Sequence, residues 1–109
     1  RAEARLRQMY QDLMRLRPDY RKDSKITWFA GRCYEEAGDP RRAAEYYRTA
    51  AENMPNRAAL WVDLARALLA AGDVPGARQA VEQADGAVRR TVPAGEVLKE
   101  LDALRRRLS

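Results

Sequence analysis

The sequence contains no histidine and one cysteine, Cys33, among its 109 residues. The lack of histidine excludes His-based catalytic triads, histidine-ligated metal sites and the side chain that most often transfers protons near neutral pH. A single cysteine excludes an internal disulfide or a cysteine-rich metal cluster and leaves the redox compartment open. Cys33 lies on an apolar face beside Tyr34, so we expect a small core residue rather than a reactive nucleophile. No cofactor or metal site is predicted.

The sequence also lacks a long apolar run. No stretch approaches the ~20 apolar residues that a helix needs to cross a bilayer, and none resembles a signal peptide. The chain begins at Arg1 rather than methionine, so we expect a piece of a longer protein, and its cellular location is left open. Charged residues (34%) and hydrophobic residues (46%) are present in proportions typical of a folded chain. The length suits one domain with a modest core.

The net charge of +5 is concentrated at the two ends of the chain. Residues 1–22 contain seven basic and three acidic groups, residues 89–109 contain six and three, and the middle contains eight and ten. The preferred interpretation is an arginine-rich, solvated helix surface. The alternative is a basic module that contacts nucleic acid or a regulator. That alternative requires one shared face for Arg5, Arg15, Arg17, Arg21, Lys22, Arg89, Arg90 and Arg105 to Arg107. Aromatic side chains are not interleaved with these cations, so binding of nucleic acid is disfavoured.

Two segments of the sequence resemble each other at a spacing of 34 residues. Gly38-Asp39 recurs as Gly72-Asp73, and around both pairs the apolar residues lie three and four positions apart. This spacing places them on one face of a helix. Glycine suits the left-handed conformation that ends a helix, and aspartate caps the helix that follows. Each copy is therefore predicted to be a helix, a Gly-Asp turn and a second helix.

The period and the motifs resemble the tetratricopeptide repeat (TPR) family. Copy two reads Trp61-x-x-Leu64-Ala65-x-x-Leu68 where the family has W-x-x-L-G-x-x-Y. Copy one carries the matching residues Gly31, Tyr34, Ala43, Tyr47, Ala50 and Pro55. It departs from the pattern at Thr27, which replaces the first aromatic residue, and copy two lacks the closing proline. The resemblance covers almost the whole chain. It implies an all-α fold, a TPR-like right-handed superhelical stack of antiparallel helix pairs.

The predicted helices span residues 2–17, 24–37, 40–53, 57–71, 74–88 and 94–108. As a TPR-like domain, the chain would comprise the second helix of a preceding repeat (1–20), two repeats (24–57 and 58–91) and a C-terminal capping helix (92–109). Small side chains should let the helices approach closely, and large ones should fill the gaps. The small ones are Ala43, Ala50, Ala77 and Ala84, and the large ones are Tyr34, Tyr47, Trp61 and Leu64.

The resemblance implies a scaffold or adaptor that binds another protein or peptide segment in the concave groove lined by the first helix of each repeat. The residues predicted to face this groove are Lys25, Trp28, Phe29, Arg32, Glu36, Val62, Asp63 and Arg66. No enzyme is predicted, because phosphate loops, nucleophile elbows and metal-ligand spacings are absent. The neighbouring carboxylates at Glu35-Glu36 and Glu96-Glu100 are interpreted as solvated charges.

Arg32 and Arg66 lie 34 residues apart and are predicted to form a basic rung across adjacent inner helices. With Trp28 as an apolar anchor, this rung would suit a partner segment that carries an acidic group beside an apolar one. Two alternatives stay open. Each arginine can pair with a carboxylate on its own helix, Glu36 or Asp63. Instead of binding a partner, Trp28 can cover the seam between helices while Phe29 packs against the first helix.

The first helix carries a wide apolar stripe made of Ala2, Leu6, Met9, Leu13 and Leu16, with Tyr10 and Met14 beside it. This stripe is wider than one neighbouring helix requires, and large uncovered apolar patches associate with other surfaces. In the parent protein a preceding helix could cover this excess; in the chain by itself, a homo-oligomer or a docked partner helix is predicted at Met9, Tyr10 and Met14. The alternative is that both methionines pack inward on helix 24–37.

Overall fold

Six α-helices make up most of the described residues. The structure is a computed structural model that describes residues 2–91 and 95–109, without the side chains of residues 2, 3, 21 and 22. The helices are α1 (Ala2–Leu16), α2 (Ser24–Glu36), α3 (Pro40–Asn53), α4 (Ala58–Ala70), α5 (Val74–Arg90) and α6 (Gly95–Leu108). No strand occurs within the described residues, and the prediction of an all-α, TPR-like stack of helices is confirmed.

The helix boundaries agree with the predicted ones to within two residues where the structure describes them. Residue 94, predicted to begin the last helix, and the side chain of Ala2 in the apolar stripe lie outside the described residues. The main difference is the connection between α1 and α2, which contains a 3₁₀-helix, Pro18–Lys22. Pro18 suits its first position because proline has no N–H group to leave unbonded. The Asp23 carboxylate then accepts the backbone N–H groups of Lys25 (2.9 Å) and Ile26 (3.2 Å), which fixes the start of α2.

Both Gly-Asp turns have the predicted geometry. Gly38 and Gly72 adopt φ values of 82° and 86°, the left-handed region in which a side chain is strained. The Asp73 side chain accepts the N–H of Gly76 (2.9 Å), and Asp39 accepts the N–H of Arg42 (3.1 Å). Each aspartate thus caps the helix that follows its turn, and the second helix of each copy begins at a defined residue.

Gly72→Val is expected to lower the free energy of unfolding by about 1–2 kcal/mol, because valine is forced into the left-handed region. Urea unfolding followed by circular dichroism measures the change. Gly95→Ala provides the control, since Gly95 has no left-handed φ and nothing within 4 Å of an added Cβ. An unchanged midpoint for Gly72→Val would contradict the expected strain.

The helices form two rows. Contacts of Arg66 with Glu35 and Glu100 join α4 to α2 and α6, so these three helices form the inner row. Tyr10 meets the Tyr46 ring edge-on, with 4.6 Å between centroids, and so joins α1 to α3 in the outer row. The predicted core is confirmed, since all eight small and large side chains named for it are buried: Ala43, Ala50, Ala77, Ala84, Tyr34, Tyr47, Trp61 and Leu64.

Helix α2 approaches α3 closely at Gly31. A Cβ atom added there would lie 2.7 Å from two ring carbons of Tyr47, closer than such atoms pack in folded proteins. Tyr47 is fully buried, and its hydroxyl donates a hydrogen bond to Glu35 Oε1 (2.7 Å). The glycine therefore lets the tyrosine ring lie directly against the backbone of α2, with its hydroxyl at the inner face.

Candidate protein-binding surface

An apolar groove of about 500 Å³ lies between α2 and α4, beside the end of α3. Its volume falls in the range of ~300–1,000 Å³ that is usual for ligand sites. Nine described residues line it: Ser24, Lys25, Trp28, Phe29, Met54, Arg57, Ala59, Leu60 and Asp63. Four of them, Lys25, Trp28, Phe29 and Asp63, are among the residues predicted from the sequence to face a groove.

Trp28 is tied to the opposite wall of this groove. Its indole Nε1 donates to Asp63 Oδ2 at 2.8 Å, which links α2 to α4. Burial raises the pKa of the Asp63 carboxyl, although the hydrogen bond from Trp28 and the charge of Arg66 act in the other direction. Trp28 therefore covers the seam between α2 and α4, as its alternative held, and it also lines the groove. Phe29 beside it is 64% exposed and is the more accessible aromatic side chain.

Two cations border the groove, Lys25 on α2 and Arg57 before the start of α4. Both side chains are exposed, and neither forms an ion pair within the described part of the chain. Arg57 was missed by the sequence reasoning because that reasoning followed only the inner faces of the helices. The turn at residues 54–57, which contains Pro55, places Arg57 beside the groove.

Arg66 is the centre of an ionic cluster on the inner row. Its Nε and Nη2 groups donate to both Glu35 carboxylate oxygens (2.7 and 2.9 Å), a two-pronged contact between α4 and α2. Nη2 also lies 2.9 Å from Asp63 Oδ1, and Nη1 contacts Glu100 on α6. The Glu35 hydrogen bonds contribute most to raising the pKa of Arg66. Burial alone would raise the pKa of Glu35, but the bonds from Arg66 and Tyr47 outweigh it and lower that pKa.

The predicted basic rung of Arg32 and Arg66 is therefore corrected. Arg32 Nη2 lies 3.7 Å from Glu36 Oε1, and Arg32 Cζ lies 5.8 Å from the centroid of the Trp28 ring. Arg32 therefore pairs with a carboxylate on its own helix, as the alternative held. Arg66 meets three carboxylates, which leaves a local excess of negative charge rather than an open cation. The interpretation of Glu35 and Glu100 as ordinary solvated charges is wrong, because both bind Arg66 across helix boundaries.

Val62 is a second correction. It is 1% exposed and belongs to the core, so it offers no surface to a partner. The 34-residue period makes it equivalent to Trp28, but the two positions differ in their surroundings. Among the described residues, α4 packs against α3, α5 and α6, whereas α2 packs against α3, α1 and the 3₁₀-helix.

The three residues predicted for self-association differ in how exposed their side chains are. Met14 is 4% exposed and packs inward, as the alternative held for it, so its assignment to an association surface is wrong. Tyr10 is half-buried against Tyr46. Met9 is exposed, and with Cys33 it lines a second groove, between α1 and α2. Cys33 is half-buried rather than in the core, and burial followed by the charge of Glu36 raises the pKa of its thiol.

The basic residues at the two ends of the chain lie on helices with different neighbours, since α1 packs on α2 whereas α6 packs on α4 and α5. Arg78, near the start of α5, donates to the carbonyl oxygen of Leu108 (2.7 Å), so the end of α6 lies beside the start of α5. Arg90, at the other end of α5, binds Asn56 Oδ1 (2.5 Å). The 12 positions between Arg78 and Arg90 correspond to about 18 Å along the helix axis. Arg105, by contrast, pairs with Asp85 on α5, and the carbonyl oxygen of Asp85 accepts from Arg89 Nε (3.4 Å), so Arg105 lies close to Arg89. The side chains of Arg21 and Lys22 lie outside the described residues.

The described residues contain neither a metal-ligand cluster nor a membrane-spanning helix. Within residues 2–91 and 95–109, no group of three or more Cys, Asp or Glu side chains is arranged to hold a metal ion. In the same residues, every helix is too short or too polar to span a membrane.

Comparison with known proteins identifies the family. A tetratricopeptide repeat family model matches residues 34–100, more than half of the chain. The TPR repeat-containing protein PA0015 of Pseudomonas aeruginosa is 49% identical over 53 residues, which cover 49% of this chain and 50% of that protein. The chain thus matches about half the length of this curated relative. The 34-residue period, the paired Gly-Asp turns and the two helix rows agree with these matches, and the chain belongs to the tetratricopeptide repeat family.

Proposed function

We propose that the chain binds a partner protein through the groove between α2 and α4, and that the bound segment presents an apolar side chain next to a carboxylate. TPR repeats generally mediate protein–protein interaction, and proteins of this family are typically non-enzymatic scaffolds. The observation that carries the proposal is the combination of an apolar groove with two cations at its border, Lys25 and Arg57, that form no ion pair within the described residues.

The apolar part of the site favours a partner side chain of moderate size. Phe29, Met54 and Leu60 line a space of about 500 Å³, and covering them removes apolar surface from water. Aromatic side chains in such positions often dominate the binding energy of an interface. Methionine adapts to different partner shapes because its side chain is unbranched and polarizable.

The acidic part of the partner is argued from the positions of the cations. Lys25 and Arg57 lie on opposite walls of the groove, and neither has a carboxylate partner in the described chain. Arg66, further along the inner row, already contacts three carboxylates, so an additional acidic ligand would gain little binding energy from it. A partner carboxylate is therefore expected at the end of the groove formed by Lys25 and Arg57, where it can form charge-assisted hydrogen bonds.

Selection of short random peptides displayed on phage against the immobilised chain tests this proposal. The enriched peptides are expected to contain Asp or Glu close to an aromatic or long aliphatic residue. Their affinity, measured by fluorescence polarisation, should fall at least about tenfold in Lys25→Glu plus Arg57→Glu, because the peptide carboxylate would then meet like charges. A tenfold fall corresponds to ~1.4 kcal/mol of binding free energy.

The matched control is Arg106→Glu plus Arg107→Glu, which makes the same charge change on exposed residues at the end of α6. This variant should retain peptide binding at physiological salt, where distant charges are screened. Equal losses in the two double variants would indicate a net-charge effect and contradict a site at the groove. Enrichment of basic peptides would instead favour the acidic surroundings of Arg66.

A further inference from the structure

Asp63, on the wall of the α2–α4 groove, has a carboxylate with a partner on each oxygen. Its Oδ2 accepts the indole N–H of Trp28 on α2 (2.8 Å), and its Oδ1 lies 2.9 Å from Arg66 Nη2 on the same helix as Asp63. The side chain is 16% exposed. A buried carboxylate costs stability unless its oxygens are bonded, and these two bonds also fix the direction in which the carboxylate faces. Asp63 is therefore a fixed hydrogen-bond acceptor beside the groove.

These contacts belong to a closed network that joins α2 to α4 at two points. Arg66 donates through Nε and Nη2 to both carboxylate oxygens of Glu35 (2.7 and 2.9 Å). Glu35 lies seven residues after Trp28, so the two side chains share one face of α2. Because Glu35 holds the guanidinium by two parallel hydrogen bonds, Arg66 is a rigid support for the Asp63 carboxylate.

The Trp28 ring is half-buried and lines the groove. Its N–H edge is bonded to Asp63, and the Arg32 guanidinium lies over the ring, with 5.8 Å between Cζ and the centroid. The N–H group is thus engaged within the chain, so the ring offers a partner its apolar surface. A side chain that is already held in place loses little freedom when a partner binds, whereas ordering a free side chain costs binding energy.

We propose that Asp63 is a positioning residue of the partner site: it holds the Trp28 ring in the groove wall and so raises the affinity for the apolar side chain of the bound segment. This inference rests on the proposed function of the α2–α4 groove. Asp63 acts here through Trp28 and not by contact with the partner. Charge alone has the opposite effect, because removal of a negative side chain strengthens the binding of a segment that carries a carboxylate. A loss of affinity on removal of Asp63 therefore identifies positioning rather than charge.

Peptide binding by Asp63→Ala and Glu100→Ala tests the proposal. Both substitutions remove a carboxylate that contacts Arg66, but only Asp63 is bonded to Trp28. For acidic–apolar peptides selected against the wild-type chain, the dissociation constant measured by fluorescence polarisation should rise about three- to tenfold in Asp63→Ala, the range expected for ordering one side chain. In Glu100→Ala it should stay unchanged or fall. Circular dichroism should show that both variants keep their helices.

Trp28→Phe completes a double-mutant cycle, because it keeps an aromatic ring and removes the N–H donor. In the Trp28→Phe background, Asp63→Ala should cause no further loss of affinity, since the bond that it removes is already absent. Equal losses in both backgrounds would mean that Asp63 contacts the partner itself, and would overturn the proposal. Unchanged or tighter binding by Asp63→Ala, or an equal loss in Glu100→Ala, would also overturn it.

A heteronuclear NMR spectrum reports on Trp28 without any peptide. The chain contains two tryptophans, so two indole N–H signals are expected, and Trp28→Phe identifies which is which. Trp61, whose N–H donates to the carbonyl oxygen of Pro55 (2.8 Å), is the internal reference. In Asp63→Ala the Trp28 proton should shift upfield and exchange faster with water, while the Trp61 signal stays in place. An unchanged Trp28 signal would overturn the proposal. Failure to select any peptide would contradict the proposed function, and the Trp28 signal would still decide whether Asp63 holds the ring.

Discussion

Gly31→Val is expected to lower the free energy of unfolding by about 3 kcal/mol, the upper end of what overpacking a core usually costs. The first added carbon would already lie 2.7 Å from the Tyr47 ring, and valine adds two more. The ring is held by burial on all sides and by its hydrogen bond to Glu35, so it has no space to move into. Relief requires α2 and α3 to separate, which opens the close contact between Gly31 and Tyr47.

The control for this substitution is a second glycine within a helix, Gly86 on α5. An added Cβ at Gly86 would meet the Arg90 guanidinium at 3.2 Å, the far end of a side chain that can move aside. Alanine is a better helix former than glycine by up to ~1 kcal/mol, so Gly86→Ala should be neutral or stabilising. Urea unfolding of both variants gives the comparison, and a Gly31→Val chain as stable as the wild type would refute the close packing at Tyr47.

Arg66→Met should destabilise the chain by about 2 kcal/mol at neutral pH. Glu35, Asp63 and Glu100 would then lie near one another without the guanidinium that joins them. Removal of one partner from a buried ion pair typically costs ~3–5 kcal/mol, and the smaller value reflects the partial exposure of this cluster. Methionine keeps most of the side-chain volume, so the loss is attributable to charge.

If charge explains the loss, the stability deficit of Arg66→Met should change with pH in a specific direction. In the wild type, the pKa of Glu35 lies below its ordinary value of 4.5, so its stabilising contribution is present above that pH and is lost as the pH falls through the lowered pKa. The pKa of Asp63 is raised, so its charged form costs stability near neutral pH, and protonation relieves that cost. Without Arg66, both carboxyl groups lose a favourable charge and their pKa values rise. The deficit of Arg66→Met should therefore shrink as the pH falls from about 7 towards 4.5.

Arg32→Met provides the matched control, since Arg32 occupies the equivalent position 34 residues earlier. Its pair with Glu36 is exposed and long, at 3.7 Å, so the expected loss is below ~0.5 kcal/mol with little change between these pH values. Chemical unfolding of both variants at several pH values makes the comparison. Equal losses, or a deficit of Arg66→Met that grows on acidification, would contradict the proposed role of the cluster.

Local features of the sequence predicted the fold well. The Gly-Asp turns depend on residues that are adjacent in the chain, and the buried alanines follow from helical spacing alone. The binding surface was harder to predict from the sequence, because it depends on how the helices rotate against one another. The 34-residue period made Val62 equivalent to Trp28 and Arg66 equivalent to Arg32, yet each pair has different neighbours. The contacts of Arg66 with Glu35 and Glu100 cross two helix boundaries, and no spacing within one helix indicates them.

The Arg66 cluster also affects how cooperatively the chain unfolds. Repeat proteins behave as linear arrays whose units are coupled mainly to their immediate neighbours, so a weak junction lets one end open while the rest stays folded. Here one side chain contributes to both junctions of the inner row, from α2 to α4 through Glu35 and from α4 to α6 through Glu100. Opening of α6 by itself exposes the carboxylate of Glu100 and leaves Arg66 with one partner fewer. The two junctions thereby share a common energetic term, and the short array unfolds more nearly as one unit than as successive helix pairs.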